Sequence, residues 1–424
     1  MKHWIVILFV LAFHAAPGQA GYQQHFTGDA FRLDFLFAGT SDNQVIYPQQ
    51  MKKESNWAGP KNHLIRPFGY GNYQVRVMDT TGGKILYTRG FSTLFGEWLT
   101  TEESNSSSRA FQHTIRIPFP RHPVILQIKP RGEDHQVLWE EVIRPRDYFI
   151  ISEKPPKAEV VQLDSAGRPY ESVDLAFVAE GYRGQEMDQF VKDVKRIKDY
   201  ILSQAPFHDY RDRFNIYAVQ AVSQESGTDV PGEHIYKHTA LNTSYYTFDV
   251  PRYLTTFDTH CLRDYAANVP YDHIFILINT ARYGGGGIYN HYSAATANHM
   301  LSRQVALHEF GHGFAGLGDE YYNSDVAYSE FYNLQKEPWE PNLTTLVDFE
   351  SKWKDMVDAQ TPVPTPRDPR YSEKVGAFEG GGYVAEGIYS PYMNCRMKSN
   401  QANGFCPVCQ RAIEKMIRYY LGEL

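Results

Sequence analysis

The sequence lacks an excess of positive charge, a long hydrophobic run after its first twenty residues, and a large number of cysteines. Its 42 Lys and Arg residues are outnumbered by 49 Asp and Glu residues, and no basic cluster stands out. Nucleic acid is therefore not an expected partner, because phosphate binding depends on Lys and Arg. Without a later run of about 18 apolar residues, we expect no integral membrane segment in the mature chain. At 424 residues and 42% hydrophobic, the chain is too apolar for disorder and long enough for two domains.

Residues 1–20 have the pattern of a secretory signal peptide. Lys2 precedes the apolar run Trp4–Phe13, and the small residues Gly18 and Ala20 follow it. The run is too short to span a bilayer as a stable anchor. We therefore expect the mature protein to be secreted, periplasmic or displayed on the cell surface.

Alternating apolar residues mark the region after this segment. One face of an extended stretch carries Phe31, Leu33, Phe35 and Phe37. Further short runs of this kind are separated by turn signals such as Asp79-Thr-Thr-Gly-Gly83. Several short strands with turns between them predict an all-β sandwich, which we place at residues 21–153. Nothing in this region suggests chemistry.

Strands and helices alternate after the short linker Lys154-Pro155-Pro156. Val173–Ala179 and His273–Ile278 are apolar enough to be buried strands, and the apolar residues from Met187 to Ile201 recur at helical spacing. This order predicts an α/β (α+β) domain with a mixed sheet at residues 157–424.

The residues that can carry chemistry are His308, Glu309 and His312. The two histidines are four residues apart, so on a helix both imidazoles face one side and can bind one tetrahedral zinc. Glu309 is turned about 100° from His308, which puts its carboxylate beside the metal, where it can take a proton from water. The competing interpretation is an exposed helix that carries these residues without a metal.

A third ligand must come from beyond this helix. On a continued helix, Asp319 would lie about 10.5 Å from His312 along the axis, far more than the roughly 2 Å of a zinc–carboxylate bond. The chain must therefore turn back, and Gly316 and Gly318 permit such a turn. Asp319 is the predicted third ligand. Glu320 is its substitute, and a ligand elsewhere in the chain is the remaining alternative.

Four motifs occur together between about residue 170 and the end of the chain. They are Gly284–Gly287, His308-Glu-Phe-Gly-His312 with Gly-Leu-Gly-Asp319-Glu-Tyr after it, Tyr392-Met393-Asn-Cys395-Arg-Met397, and Phe405-Cys406-Pro-Val-Cys409. This set resembles the M64 peptidases, the IgA-peptidase-like secreted metallopeptidases related to the metzincins. The β-rich region before it resembles the N-terminal domain often attached to that family. The resemblance implies zinc held by His308, His312 and Asp319, with Glu309 as general base.

The resemblance also implies a methionine turn beneath the metal, at Met397 or, as the second choice, at Met393. One departure concerns spacing, because Gly316 and Asp319 each stand one residue further from His312 than in the usual metzincin pattern. The turn must therefore be one residue longer. No tyrosine lies two residues after Met397, so the metal-side tyrosine of some metzincins has no counterpart at that position.

Four cysteines in an exported protein favour two disulfides, because the count is even and the compartment oxidising. A bridge from Cys395 to Cys406 or Cys409 would close a loop of about a dozen residues and hold the Met397 turn. The remaining cysteine could then reach Cys261. The alternatives are buried free thiols, a redox pair, or half of a zinc site in the Cys406–Cys409 motif.

Substrate is expected to lie extended along a sheet edge and to pair with it backbone to backbone. His273–Thr280 is the candidate edge, because the glycines that follow would let another chain approach closely. Alternatively, this segment is a central strand and Gly284–Gly287 a flexible loop. We therefore predict a secreted zinc endopeptidase of extracellular or host proteins. Two alternatives stay open: a zinc hydrolase of a non-protein substrate, and a non-catalytic exported protein that binds glycan or protein around a structural zinc.

Overall fold

The computed structural model describes residues 17–132, 136–152, 154–322 and 332–424. The predicted signal peptide falls mainly on residues 1–16, outside the described residues, and the described chain opens with helix α1 (Pro17–His25). None of the helices in the described ranges is long and apolar enough to cross a membrane.

Two four-stranded sheets make up most of the N-terminal region. The strands are β1 (Phe26–Gly39), β2 (Gln44–Glu54), β3 (Tyr73–Asp79), β4 (Ile85–Phe91), β5 (Arg109–Pro120), β6 (Val124–Pro130), β7 (Trp139–Ile143) and β8 (Ile150–Ile151), and the short helix α2 (Leu94–Trp98) precedes β5. Their orders are β5-β1-β2-β8 and β4-β3-β6-β7. The four alternating residues from Phe31 to Phe37 are fully buried, as their spacing indicates.

A six-stranded mixed sheet forms the centre of the second region. The elements are β9 (Glu159–Asp164), β10 (Val173–Glu180), α3 (Met187–Ile201), β11 (Phe214–Gln220), β12 (Thr243–Ser244), β13 (Thr255–Thr256), α4 (Thr259–Ala266), β14 (His273–Ile278), β15 (Gly285–Ile288), β16 (Tyr292–Thr296), α5 (Ser302–Ala315), β17 (Phe378–Gly381), β18 (Val384–Ser390) and α6 (Pro407–Leu421). The sheet order is β15-β16-β14-β10-β11-β9. Its four inner strands run parallel, and the two edge strands are antiparallel to their neighbours.

The prediction of a sheet edge at His273–Thr280 is wrong. β14 lies between β16 and β10 and is buried along its whole length, as a continuous apolar run covered on both faces should be. The glycine run is not a loop either, because Gly285–Ile288 is the edge strand β15. Side chains are excluded there by close packing of α5: a Cβ on Gly285 would lie 2.8 Å from Glu309 Cγ, and one on Gly287 would lie 2.4 Å from the Glu309 carbonyl oxygen.

The two faces of the central sheet belong to different apolar cores. Val178 and Ile276 share one core with the buried residues of the N-terminal sheets. Phe177 and Phe275, which alternate with them, share the other core with α3, α5 and α6. The N-terminal region therefore packs, together with α4, over one face of the central sheet.

Candidate active site

Helix α5 brings His308 and His312 together, with their Nε2 atoms 3.0 Å apart. Each ring uses its other nitrogen to contact a backbone carbonyl: His308 Nδ1 lies 3.0 Å from the Arg396 oxygen, and His312 Nδ1 lies 2.6 Å from the Leu317 oxygen. Because a carbonyl only accepts, each Nδ1 carries the hydrogen in the neutral ring. The unprotonated Nε2 atoms then face each other.

Asp319 completes this group because the chain reverses directly after α5. Gly316 caps the helix in the left-handed conformation at φ 69°, which a glycine adopts without strain. Asp319 Oδ1 then lies 3.0 Å from His308 Nε2 and 3.3 Å from His312 Nε2. We call His308, His312 and Asp319 the histidine cluster. Burial tends to raise the pKa of Asp319, but the two adjacent imidazoles, when they are protonated, outweigh it and hold this pKa well below its usual value.

Glu309 lies next to the histidine cluster on the same helix. Its carboxylate lines the cleft, and burial raises its pKa, while His308 and His312 act in the opposite direction. Glu320, the substitute ligand considered above, turns away from the cluster. Its Oε1 accepts a hydrogen bond from Asn342 Nδ2 at 3.0 Å.

Met397 lies beneath α5, where the methionine turn was expected. It is fully buried, and a Cβ on Gly311 would stand 2.8 Å from its sulfur. The Met397 carbonyl also accepts the Glu320 N–H at 2.8 Å, which joins the turn to residues 316–320 after α5, here called the ligand loop. Met393, the second choice, is half-buried.

Two further side chains hold the ligand loop, and sequence reasoning missed both. The Tyr383 hydroxyl donates to Asp319 Oδ2, and the backbone of this turn between β17 and β18 bonds to the loop as well, from the Gly382 N–H to the Asp319 carbonyl at 2.7 Å. The Asn342 side chain makes two hydrogen bonds to the Gly318 backbone. Its Oδ1 accepts from the Gly318 N–H at 2.7 Å, and its Nδ2 donates to the Gly318 carbonyl at 2.8 Å. Tyr383 follows Asp319 by 64 residues, and no motif marks either residue.

A cleft of about 640 Å³ opens in front of these groups. The histidine cluster, Glu309 and β15 line one side of it. Glu97 on α2 and Arg131 after β6 line it from the N-terminal region. Burial raises the pKa of Glu97 to about 7. No pattern in its sequence suggests chemistry in this region, yet the region supplies polar side chains to the cleft.

The expected disulfides are absent from the structure, because all four cysteines are free thiols. The sulfurs of Cys395 and Cys409 lie 3.7 Å apart, whereas a disulfide needs about 2.05 Å. Cys261 lies on α4 beside the other core and contacts the Ala240 carbonyl at 3.3 Å. The sheet separates it from the remaining three, so the predicted second bridge has no geometric basis.

Comparison with known families agrees with this arrangement. The family described as IgA Peptidase M64 matches residues 161–370 and 367–417, and Peptidase M64 N-terminus matches residues 21–140. No curated protein matches the chain. The first family covers more than half of the sequence and includes α5, the ligand loop and the cysteine motif. The resemblance seen in the sequence is therefore confirmed, and the chain belongs to the IgA peptidase M64 family.

Proposed function

We propose that this protein is an exported zinc endopeptidase whose metal ligands are His308, His312 and Asp319, with Glu309 as general base. The observation that carries the proposal is the convergence of three electron-pair donors on one point. Two imidazole Nε2 atoms and one carboxylate oxygen stand 3.0–3.3 Å apart. Such lone pairs repel unless a proton or a metal cation lies between them. Asp319 Oδ1 is buried, and while both Nε2 atoms are unprotonated it has no hydrogen-bond donor among the described residues.

The donor set suits zinc, which binds His nitrogen and carboxylate oxygen in catalytic sites and keeps one position open. The cleft in front of the histidine cluster supplies room for that open position. Zinc bound there would supply the Lewis acidity that activates water and polarises a scissile carbonyl.

The protein residues have distinct tasks in this reaction. Glu309 takes the proton of the attacking water and later delivers it to the leaving amine, which is the work of a general acid–base group. Burial raises the pKa of Glu309, and a raised pKa makes a carboxylate a better proton acceptor. The carbonyls of Arg396 and Leu317 orient the two imidazoles, and Tyr383 orients Asp319.

Membership in a peptidase family implies a protein substrate, and we propose that it pairs with β15. The Gly285 N–H and carbonyl are already used by Arg252 and Leu254. In the antiparallel register of β15 with β16, the Gly287 N–H and carbonyl point away from β16 toward the cleft. Gly287 is thus the proposed anchor for the substrate backbone. The N-terminal region, proposed to be a sandwich, forms the opposite wall.

Glu309→Gln separates this function from its alternatives. It removes the base without removing a ligand, so the variant should keep the cleft zinc while peptide cleavage falls about 10²–10⁴-fold. Cleavage of an unbiased peptide library and the zinc content are the measurements. Glu350→Gln, an exposed substitution outside the cleft, is the matched control. Wild-type cleavage by Glu309→Gln would contradict the mechanism, and a wild-type enzyme that cleaves no peptide would favour the binding or non-protein alternatives.

A further inference from the structure

Three cysteines and a glutamate meet behind the ligand loop, on the far side from the cleft. We call this group the cysteine cluster; its members are Glu320, Cys395, Cys406 and Cys409. All four are buried, and their ligand atoms lie within 4.8 Å of one another. They come from three separate segments: the loop after α5, the Met397 turn, and the start of α6. Free buried thiols are a common outcome for a single cysteine, but they do not explain this convergence.

The spacing of the sulfurs matches a metal site better than a disulfide. Cys395 Sγ and Cys409 Sγ stand 3.7 Å apart. Two thiolates bound to one tetrahedral zinc, each at about 2.3 Å, are separated by about 3.8 Å. Glu320 Oε1 lies 3.1 Å from Cys409 Sγ.

The backbone around the sulfurs favours thiolates. Cys406 is the N-cap residue of α6, and Cys409 lies in the first turn of this helix, where the helix dipole attracts negative charge. The Cys406 N–H donates to Cys395 Sγ at 3.2 Å. A backbone N–H directed at sulfur stabilises a thiolate rather than a neutral thiol.

Glu320 is a second, independent indication of a cation site. The residue is fully buried, and its Oε2 has no hydrogen-bond partner among the residues that the structure describes. A buried carboxylate oxygen without a partner is costly, so such groups are protonated, paired or bound to a metal. Lys398 acts on Glu320 electrostatically, but no described residue accepts a hydrogen bond from its Nζ. Lys398 therefore does not pair directly with this carboxylate.

We propose that Glu320, Cys395, Cys406 and Cys409 bind a second Zn²⁺, in a closed structural site with four protein ligands. Thiolate-rich tetrahedral sites select zinc, and structural sites have no open position. This zinc would join the ligand loop, the methionine turn and α6. Since Glu320 follows Asp319 and Cys395 lies two residues before Met397, it would hold both neighbours of the catalytic centre in place. The proposal does not depend on peptidase activity.

Zinc analysis of the full mature chain tests this site apart from the cleft site. The wild type should hold two zinc ions per chain, and the double variant His308→Ala/His312→Ala should hold one. X-ray absorption of that variant should show a sulfur-rich zinc shell with Zn–S distances of about 2.3 Å. A double variant with no zinc, or with zinc bound only by nitrogen and oxygen, would overturn the proposal. If the chain binds zinc through sulfur but cleaves no peptide, the cysteine-cluster site is supported and the proposed peptidase function is contradicted.

Thiol chemistry and two sets of variants complete the test. The unfolded, unreduced and chelated protein should show four reactive thiols, whereas two would mean a disulfide and would overturn the site. Cys406→Ser/Cys409→Ser should lose the sulfur-bound zinc and keep the other. Should that chain not fold, Glu320→Gln keeps the side-chain shape, and its buried zinc should pass to a chelator at least tenfold faster than in the wild type. An unchanged transfer rate would overturn the role of Glu320.

Discussion

The histidine cluster and the cysteine cluster lie on either side of one peptide bond, between Asp319 and Glu320, yet their surroundings differ. The first borders a cleft of about 640 Å³, and the two imidazoles are about 15% exposed. All four residues of the cysteine cluster, by contrast, are buried. Zinc sites follow the same division, since catalytic sites keep an open position and structural sites do not.

This comparison shows how one loop can serve two sites. Successive residues of an extended segment point in opposite directions, so Asp319 can face the cleft while Glu320 faces the core. The Met397 carbonyl and Asn342 fix the segment between them. A change at either residue therefore tests whether the two sites are separable.

The largest expected effect comes from Asp319→Ala. Removing this carboxylate should empty the cleft site and lower peptide cleavage by about a thousandfold or more, because metal polarisation contributes several kcal/mol. The sulfur-bound zinc should stay, as measured by zinc content and X-ray absorption. Asp319→Asn, which keeps the volume, is the control for packing. Loss of both zinc ions in Asp319→Asn would show that the two clusters act as one unit.

Tyr383→Phe should have a smaller effect, confined to the histidine cluster. It removes only the hydroxyl that orients Asp319, and the loss of such a supporting hydrogen bond typically weakens metal affinity about 10–100-fold. Competition with a chelator measures this affinity at each site. Tyr389→Phe, whose hydroxyl bonds to Glu379 outside the cleft, is the control. Equal weakening of both sites would indicate a general loss of stability, contrary to the assigned role.

Cys261→Ser should have the smallest effect of the three. The new hydroxyl can donate to the Ala240 carbonyl as the thiol does, so the free energy of unfolding should change by less than about 1 kcal/mol. Both zinc ions and the peptidase activity should be retained. Thermal unfolding with zinc analysis provides the measurement. A loss of zinc here would link α4 to the cysteine cluster, against the separation of the two cores.

The sequence predicted those features of the fold and the site that depend on residue spacing within one helix, strand or turn. Four-residue spacing on a helix brings His308 and His312 together whatever surrounds them. The alternation from Phe31 to Phe37 predicted a strand with one buried face in the same way. The need for a turn before Asp319 followed from helix geometry, and Gly316 in the left-handed conformation provides it.

The wrong predictions concern relations between distant segments. An apolar run is equally compatible with an edge or a central position, so periodicity did not place β14 inside the sheet or β15 at its edge. An even number of cysteines in an exported chain favoured disulfides, but the distance between the Cys395 and Cys409 sulfurs depends on how α6 packs. Tyr383 and Asn342 carried no signal, because nothing local marks a residue that bonds to a distant loop.

The sequence by itself determined the family and the helix that brings His308 and His312 together, because both rest on residue types at short, regular spacing. Only the tertiary structure decided which strand borders the cleft, that the N-terminal region contributes to its wall, and that three cysteines surround Glu320. The physical reason is that contacts between segments far apart in the chain depend on the packing of whole sheets and helices. Short-range patterns restrict such packing without specifying it.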